Sequence, residues 1–217
     1  MDGVLLRDSW GPAAAMAWPG ADWLGAHTLA TLYECNECFL DLLQAQAARS
    51  AGLFGADVSA LLGGLDATGR ARAARCAVLL ADPGFGDAGR WRRALEGVAA
   101  PPEYGAPCAF APEGAVAALR VILTCAGHLV HSDAAAARLL LGMTPACVEA
   151  FSACTVTRVA GLAATHWRWL RPRWHGRLGY WRDLLRAAQD GTATAQAQMR
   201  VRGLLLLAGE ARYLGGP

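Results

Sequence analysis

The chain contains no lysine: all 20 of its basic residues are arginine, in 217 residues with a formal net charge of +2. This absence excludes several enzyme classes. A Walker A loop needs a lysine that reaches the β- and γ-phosphates, and Schiff-base enzymes and protein kinases also depend on a lysine amine. Every positive contact of this protein is therefore a guanidinium, which suits stacking on tryptophan and bidentate recognition of anions.

Signals for export and for membrane insertion are also missing. The N-terminus carries Asp2 where a signal peptide carries positive charge. The most apolar run, Val121–Val130, lies between Arg120 and His131, which favours a buried helix over a membrane span. The 7 cysteines form no framework of spacings, so reduced thiols are expected. We predict a cytoplasmic protein without membrane insertion.

A proline-rich stretch divides the chain into nearly equal parts. On both sides the segments are rich in Ala and Leu, have helical periodicity and contain few β-branched residues, which predicts an all-α fold. We predict a first helical unit over residues 1–98, a Pro-rich linker over 99–112, and a second unit over 113–217 that ends in a C-terminal helix.

Capping residues indicate where several helices begin and end. A long first helix is expected over residues 22–50. Asp66, Asp133 and the pair Thr144-Pro145 are typical of helix N-termini, and Gly142 is typical of a C-terminus.

The two halves match each other when one is shifted by 87 residues along the other. The informative pairs, in one order along both halves, are Cys38 with Cys125, Gly55 with Gly142, Thr68 with Thr155 and, after a three-residue insertion, Trp91-Arg92 with Trp181-Arg182. Matching alanines carry little weight in an Ala-rich chain. The ordered pairs predict an internal duplication, packed as a pseudo-two-fold helical bundle.

The second half carries a motif that is found in one known family. It consists of the stretch 129–143, with its Leu-Gly turn, then a threonine-started helix after residues 151–155, and the pair Arg173-Trp174. This pattern resembles the bacterial FlhD family of flagellar transcriptional regulators, which are small all-helical proteins that act as dimers. The resemblance covers roughly residues 119–185, with a fainter echo over residues 32–95.

The resemblance implies a pseudo-dimer, in which one chain supplies the two units that the family assembles from two chains. The family binds promoter DNA together with a zinc-binding second subunit. This chain departs from that pattern because it is fused, is rich in tryptophan and has no four-cysteine zinc site. The resemblance thus implies a regulator or adaptor that binds a protein partner in a hetero-complex, with DNA as a second open class of partner.

One segment concentrates the positive charge of the protein. Between Arg158 and Arg202, which we call the Arg/Trp segment, nine arginines accompany only two acids, a net charge of +7 that leaves −5 for the rest of the chain. Arginines interleaved with aromatic rings suit a phosphate backbone or an acidic protein. The candidate residues for binding a partner or nucleic acid are Arg168, Arg171, Arg173, Trp174, Arg177 and Arg182.

A structural interpretation of the same segment stays open. Trp167, Trp174 and Trp181 recur every seven residues, which is typical of a packing seam. The arginines would then be solvated or would lie over the tryptophan faces.

A group of cysteine and histidine residues gives a further alternative, a metal-binding or redox protein. Cys35 and Cys38 share one helix face, and Cys125 and His128 share another. If the two long helices pair, Cys38 and Cys125 can approach, and a tetrahedral metal site becomes conceivable. A single Cys-x-x-Cys is a weak signal, and buried cysteines more often behave as small hydrophobic residues. We therefore expect no cofactor.

Motifs for catalysis are missing as well. The chain has no Gly-x-Ser-x-Gly nucleophile turn and no Glu-x-x-His ligand pair, so a non-enzymatic role is favoured. The first alternative to a regulator is a cytosolic accessory protein of a type III secretion apparatus, a class that also uses helical chains rich in Arg, Leu and Trp. That alternative is an analogy of composition.

Overall fold

Helices form most of the structure, which confirms the all-α prediction. The computed structural model describes residues 25–98 and 110–214, leaving aside the side chains of residues 47–51 and 211–214. The helices are α1 (Ala26–Ala45), α2 (Ala47–Gly63), α3 (Ala67–Ala74), α4 (Ala88–Leu95), α5 (Pro112–Ser132), α6 (Ala134–Leu141), α7 (Pro145–Ser152), α8 (Val156–His166), α9 (Leu178–Asp190) and α10 (Ala193–Leu214). The other elements are a 3₁₀ turn (Trp167–Trp169) and two short strands, β1 (Ala81–Asp82) and β2 (Arg171–Pro172).

The caps predicted at Asp66, Asp133 and Thr144 are confirmed. Asp66, Asp133 and Thr144 each accept a hydrogen bond from the backbone N–H three residues on, at 2.6, 2.9 and 3.2 Å. These bonds satisfy N–H groups that the first turn of a helix leaves without a partner. Gly142 ends α6 in the left-handed conformation, at a φ of 71°.

The prediction of one helix over residues 22–50 is wrong, because the helical path breaks at Gln46, between α1 and α2. The Gln46 side-chain oxygen accepts the backbone N–H of Ala111 at 2.5 Å, which ties this break to the start of α5. A second irregularity follows at Gly55, whose φ of 72° and ψ of 171° interrupt α2.

Helices pack against one another both within each half and between the halves. α1 lies along α5, α3 packs on α1, and α8 packs on α5. α4, from the first half, packs on α7, whereas α9, from the second half, packs on α2. Buried side chains from both halves thus form one continuous hydrophobic cluster. Residues 99–109 of the predicted linker lie outside the described residues, and the division into two units stays a prediction.

Two extended connections meet at the centre of the structure. The first connection (residues 75–87) leads from α3 to α4 and contains β1; the second connection (residues 167–177) leads from α8 to α9 and contains β2. The strands are antiparallel, with Ala81 opposite Pro172 and Asp82 opposite Arg171. The backbone N–H of Arg173 extends the pairing by donating to the Leu80 carbonyl at 2.7 Å.

Within the described residues, α5 is the one helix that is long and apolar enough to cross a membrane, and half of its most apolar window is buried against other helices. The core helix of a soluble protein has the same properties.

Candidate functional site

The most polar residue of the core is Arg173, in the second connection. Its side chain is only 5% exposed. The guanidinium donates to the carbonyl of Leu141 at 2.9 Å, at the end of α6, and to that of Leu79 at 3.4 Å. It also fills the space beside Gly142, where any Cβ would overlap the guanidinium. Arg173 therefore joins the end of α6 to the first connection.

Trp174, the next residue, has an unusual backbone conformation and is also buried, at 8% exposure. Its φ is 53°, in the region that favours glycine. The indole N–H donates to the carboxylate of Glu210 on α10, and the ring packs edge-to-face on Tyr180 at 4.8 Å between centroids. Glu210 also lies 3.9 Å from Nε of Arg173. One carboxylate of α10 thus contacts both predicted binding residues.

The six predicted binding residues do not form one surface. Arg173 and Trp174 belong to the core, which corrects the expectation that they face a partner. Arg168 is exposed, 4.9 Å from the ring centroid of Trp167. The other three residues are the half-buried Arg171, the exposed Arg177 and the half-buried Arg182, which pairs with Asp57 at 3.5 Å.

The tryptophans of the Arg/Trp segment are mainly packing residues. Trp181 is fully buried, and its indole N–H donates to the Arg173 carbonyl at 2.8 Å. Trp169 is buried beneath the guanidinium of Arg90, which lies 3.8 Å from the ring centroid. Trp167 is half-buried. These contacts favour the packing-seam interpretation over a tryptophan-lined groove.

Two surface grooves flank the C-terminal part of α10. One, of about 330 Å³, has an apolar floor that includes Leu139, Met143 and Leu207. The other, of about 660 Å³, is lined by Leu205 and Leu206 together with charged side chains, including Arg177. Leu205 is 67% exposed. An exposed apolar side chain beside apolar grooves with charged rims has the chemistry of a protein interface.

The cysteine and histidine candidates are not assembled into a metal site. Among the described residues, no three His, Cys, Asp or Glu side chains lie close enough together to hold a metal ion. Cys35, and not Cys38 as expected, lines a groove together with Cys125. His128 lies on the surface against His27, with ring centroids 6.1 Å apart.

Sequence reasoning missed the role of Asn36. This residue lies between the two cysteines of α1 and is fully buried. Its side-chain N–H₂ donates to the carbonyls of Ala74 at 3.1 Å and Val78 at 3.0 Å, and its oxygen accepts the N–H of Leu80 at 2.8 Å. Asn36 is the sole asparagine of the chain. An asparagine among apolar residues in the middle of a long helix was the available signal of a buried polar contact.

His166 is the other titratable group of note near the second connection. Its ring stacks on Trp169 at 4.0 Å between centroids. Burial lowers the pKa of His166, and the neighbouring Arg90 guanidinium lowers that pKa further. The imidazole is therefore held in its neutral form as a packing surface.

The chain matches no family model, no curated protein and no solved structure.

Proposed function

We propose that this protein is a non-enzymatic regulator or adaptor that binds a protein partner, built from two similar helical units in one chain and similar in plan to a fused FlhD dimer. The observation that carries the proposal is the surface around α10, where exposed Leu205 lies beside two grooves. Because the described core is tightly packed around the tryptophans, this surface is the best candidate for binding.

The spacing of the elements supports the two-unit plan. α1 ends at Ala45 and α5 at Ser132, a shift of 87 residues, and Gly55 and Gly142 both have positive φ at the same shift. After the three-residue insertion, β1 and β2 begin at positions 81 and 171, and α4 and α9 at 88 and 178.

The pairing of the strands supports a two-fold relation between the units. A shift of 90 residues superimposes Ala81 on Arg171 and Asp82 on Pro172 along the sequence. In the ladder, each strand instead pairs its first residue with the second residue of the other. A two-fold axis between equivalent strands requires this register.

The exchange of helices supports it further. The contact of α4 with α7 and the contact of α9 with α2 each join one half to the other. Such mutual exchange is typical of intertwined dimers, whose subunits are not stable alone. A chain that contains both copies would have no need of a second copy, so its free surface is available to a different protein.

The experiment that tests this proposal measures mass and binding together. We expect light scattering of the purified chain to give a monomer of 22.8 kDa, and co-expression with the proteins encoded beside it to give a hetero-complex. Leu205→Asp should weaken that complex by about tenfold or more. The matched control is Val156→Asp on α8, which is 79% exposed and lines neither groove. A stable homodimer, or equal effects of both substitutions, would contradict the proposal.

DNA remains a second class of partner, supported by the exposed guanidinium groups of Arg168 and Arg177. If DNA is bound, its affinity should fall steeply with salt concentration, because basic side chains release counterions from the phosphate backbone. Arg168→Ala with Arg177→Ala should then weaken binding and reduce the salt dependence. The absence of any band shift at low salt would exclude DNA as a partner.

A further inference from the structure

A groove of about 280 Å³ runs along the outer side of the contact between α1 and α5. Cys35 of α1 and Cys125 of α5 both line it, together with Arg120 and residues that include Thr31 and Glu34. Both cysteines are otherwise buried. The groove is therefore the side from which a small solute would approach these two cysteines, which belong to different halves of the chain.

The two thiols lie on packed helices and line the same groove. The neighbouring Cys35 thiol lowers the pKa of Cys125, although burial and Glu34 act in the opposite direction. The same interaction, together with burial, raises the pKa of Cys35. A thiolate stabilised by a neighbouring S–H is the arrangement that makes one member of a dithiol nucleophilic.

The other described cysteines lack this arrangement. Cys76 is buried against the hydroxyl of Tyr180, at 3.1 Å. Burial and the charge of Asp87 raise the pKa of Cys147 to about 12. Burial also raises the pKa values of Cys38 and Cys154. Among the described cysteines, Cys125 alone has a lowered pKa.

We infer that Cys35 and Cys125 are a redox-active pair that forms a reversible disulfide between α1 and α5, with a small disulfide as the oxidant that enters through the groove. The bond would link the first half of the chain to the second. It would cross-link the two proposed units at their central helix contact, in addition to any binding at α10.

The reaction balances with the oxidant RSSR. The Cys125 thiolate attacks one sulfur of RSSR, forms a mixed disulfide and releases RS⁻. Cys35 then gives up its proton, and its sulfur attacks the Cys125 sulfur and releases the second RS⁻. Two cysteine thiols are oxidised to one disulfide, and RSSR is reduced to two RSH.

The test uses the full chain with Cys108→Ser as background, because residue 108 lies outside the described residues. The native protein is treated with bis(2-hydroxyethyl) disulfide, digested without reduction and analysed by mass spectrometry. We expect loss of two thiols and one cross-linked peptide containing Cys35 and Cys125. Cys35→Ser should instead stop at a mixed disulfide on Cys125, and Cys125→Ser should form no disulfide at Cys35.

Cys147→Ser removes a buried cysteine outside the pair and should leave the cross-link unchanged, as should Cys38→Ser. Circular dichroism shows whether each variant is folded. Where a serine variant does not fold, the corresponding alanine variant is used. The oxidised protein should also melt at a higher temperature than the reduced protein. A Cys35–Cys38 disulfide, or oxidation of Cys35 and Cys125 only after unfolding in guanidinium, would overturn the inference.

Discussion

The two connections that meet at the centre of this protein are held in place by different chemistry. The first is fastened by directional hydrogen bonds from one buried amide, that of Asn36. The second begins on packed rings, because Trp169 packs on Trp91 at 5.0 Å between centroids and on His166, and Arg173 adds hydrogen bonds farther along it. The residue that matches Asn36 at the shift of 87 is Leu123, which is buried and whose side chain can form no hydrogen bond.

The two connections therefore differ in how far a single substitution can destabilise them. The first connection depends strongly on the Asn36 side chain, since carbonyl and N–H groups left buried without partners are costly. A ring-packed connection spreads its stabilisation over many weak contacts, so that no single ring carries all of it. If the two halves arose by duplication, each has since fixed its connection by a separate route.

The largest expected effect is that of Asn36→Ala. The substitution leaves the carbonyls of Ala74 and Val78 and the N–H of Leu80 without their partner, so we expect a loss of about 4 kcal/mol in the free energy of unfolding. Urea denaturation measures it. The control is Gln44→Ala, because Gln44 also donates to two carbonyls, those of Leu62 and Leu65, but at a half-buried site that water can reach. Equal losses at the two sites would remove the special role of Asn36.

Gly142→Ala should have the next largest effect. A Cβ at this residue would be strained at a φ of 71° and would also overlap the buried Arg173 guanidinium. We expect a loss of about 3 kcal/mol in the free energy of unfolding, from the left-handed backbone and the overlap together. Gly97→Ala separates the two causes, since its φ is 77° and nothing lies within 4 Å of the added Cβ. That control should lose about 1 kcal/mol; a similar loss at both glycines would show that Arg173 moves away freely.

The two fully buried tryptophans allow a sharper test of the same contrast. The Trp181 indole N–H donates to the Arg173 carbonyl at 2.8 Å, whereas that of Trp91 has no hydrogen-bond partner among the described residues. Trp181→Phe and Trp91→Phe remove the same atoms, but only the first breaks a hydrogen bond. We expect Trp181→Phe to be the more destabilising by about 1 kcal/mol in thermal or urea unfolding. If Trp91→Phe costs as much, ring packing alone determines both values.

The sequence was sufficient to predict features that depend on local chemistry. The caps at Asp66, Asp133 and Thr144 follow from side chains that bond to their own helices, and the helical class follows from periodicity. It was not sufficient for features that depend on distant residues. The break at Gln46 depends on Ala111, which lies far along the chain.

The sequence does not predict the candidate site for the same reason, because the site depends on residues that are distant along the chain. Charge and aromatic content identified the Arg/Trp segment, but burial decides whether an arginine binds a partner or the protein itself. Arg173 is buried because carbonyls of Leu79 and Leu141 converge on it, and neither residue is near it in sequence. In the sequence, Leu205 is one of four consecutive leucines, 204–207. Its exposure could not be predicted, because it depends on which face of α10 the rest of the protein covers.

The smallest expected effect concerns pH and the ring-packed connection alone. Burial and Arg90 lower the pKa of His166 below its ordinary value of 6.5, so the folded protein binds fewer protons at this site than the unfolded chain does. Stability should therefore be fully present above about pH 6.5 and should decrease as the pH falls through the window below it. His166→Phe keeps a ring stacked on Trp169 but has no titrating group. It should therefore flatten the plot of the urea midpoint against pH in this window. Asn36→Ala should leave the slope unchanged, because the hydrogen-bonded connection has no part in the titration. An unaltered slope in His166→Phe would assign the pH dependence to another group.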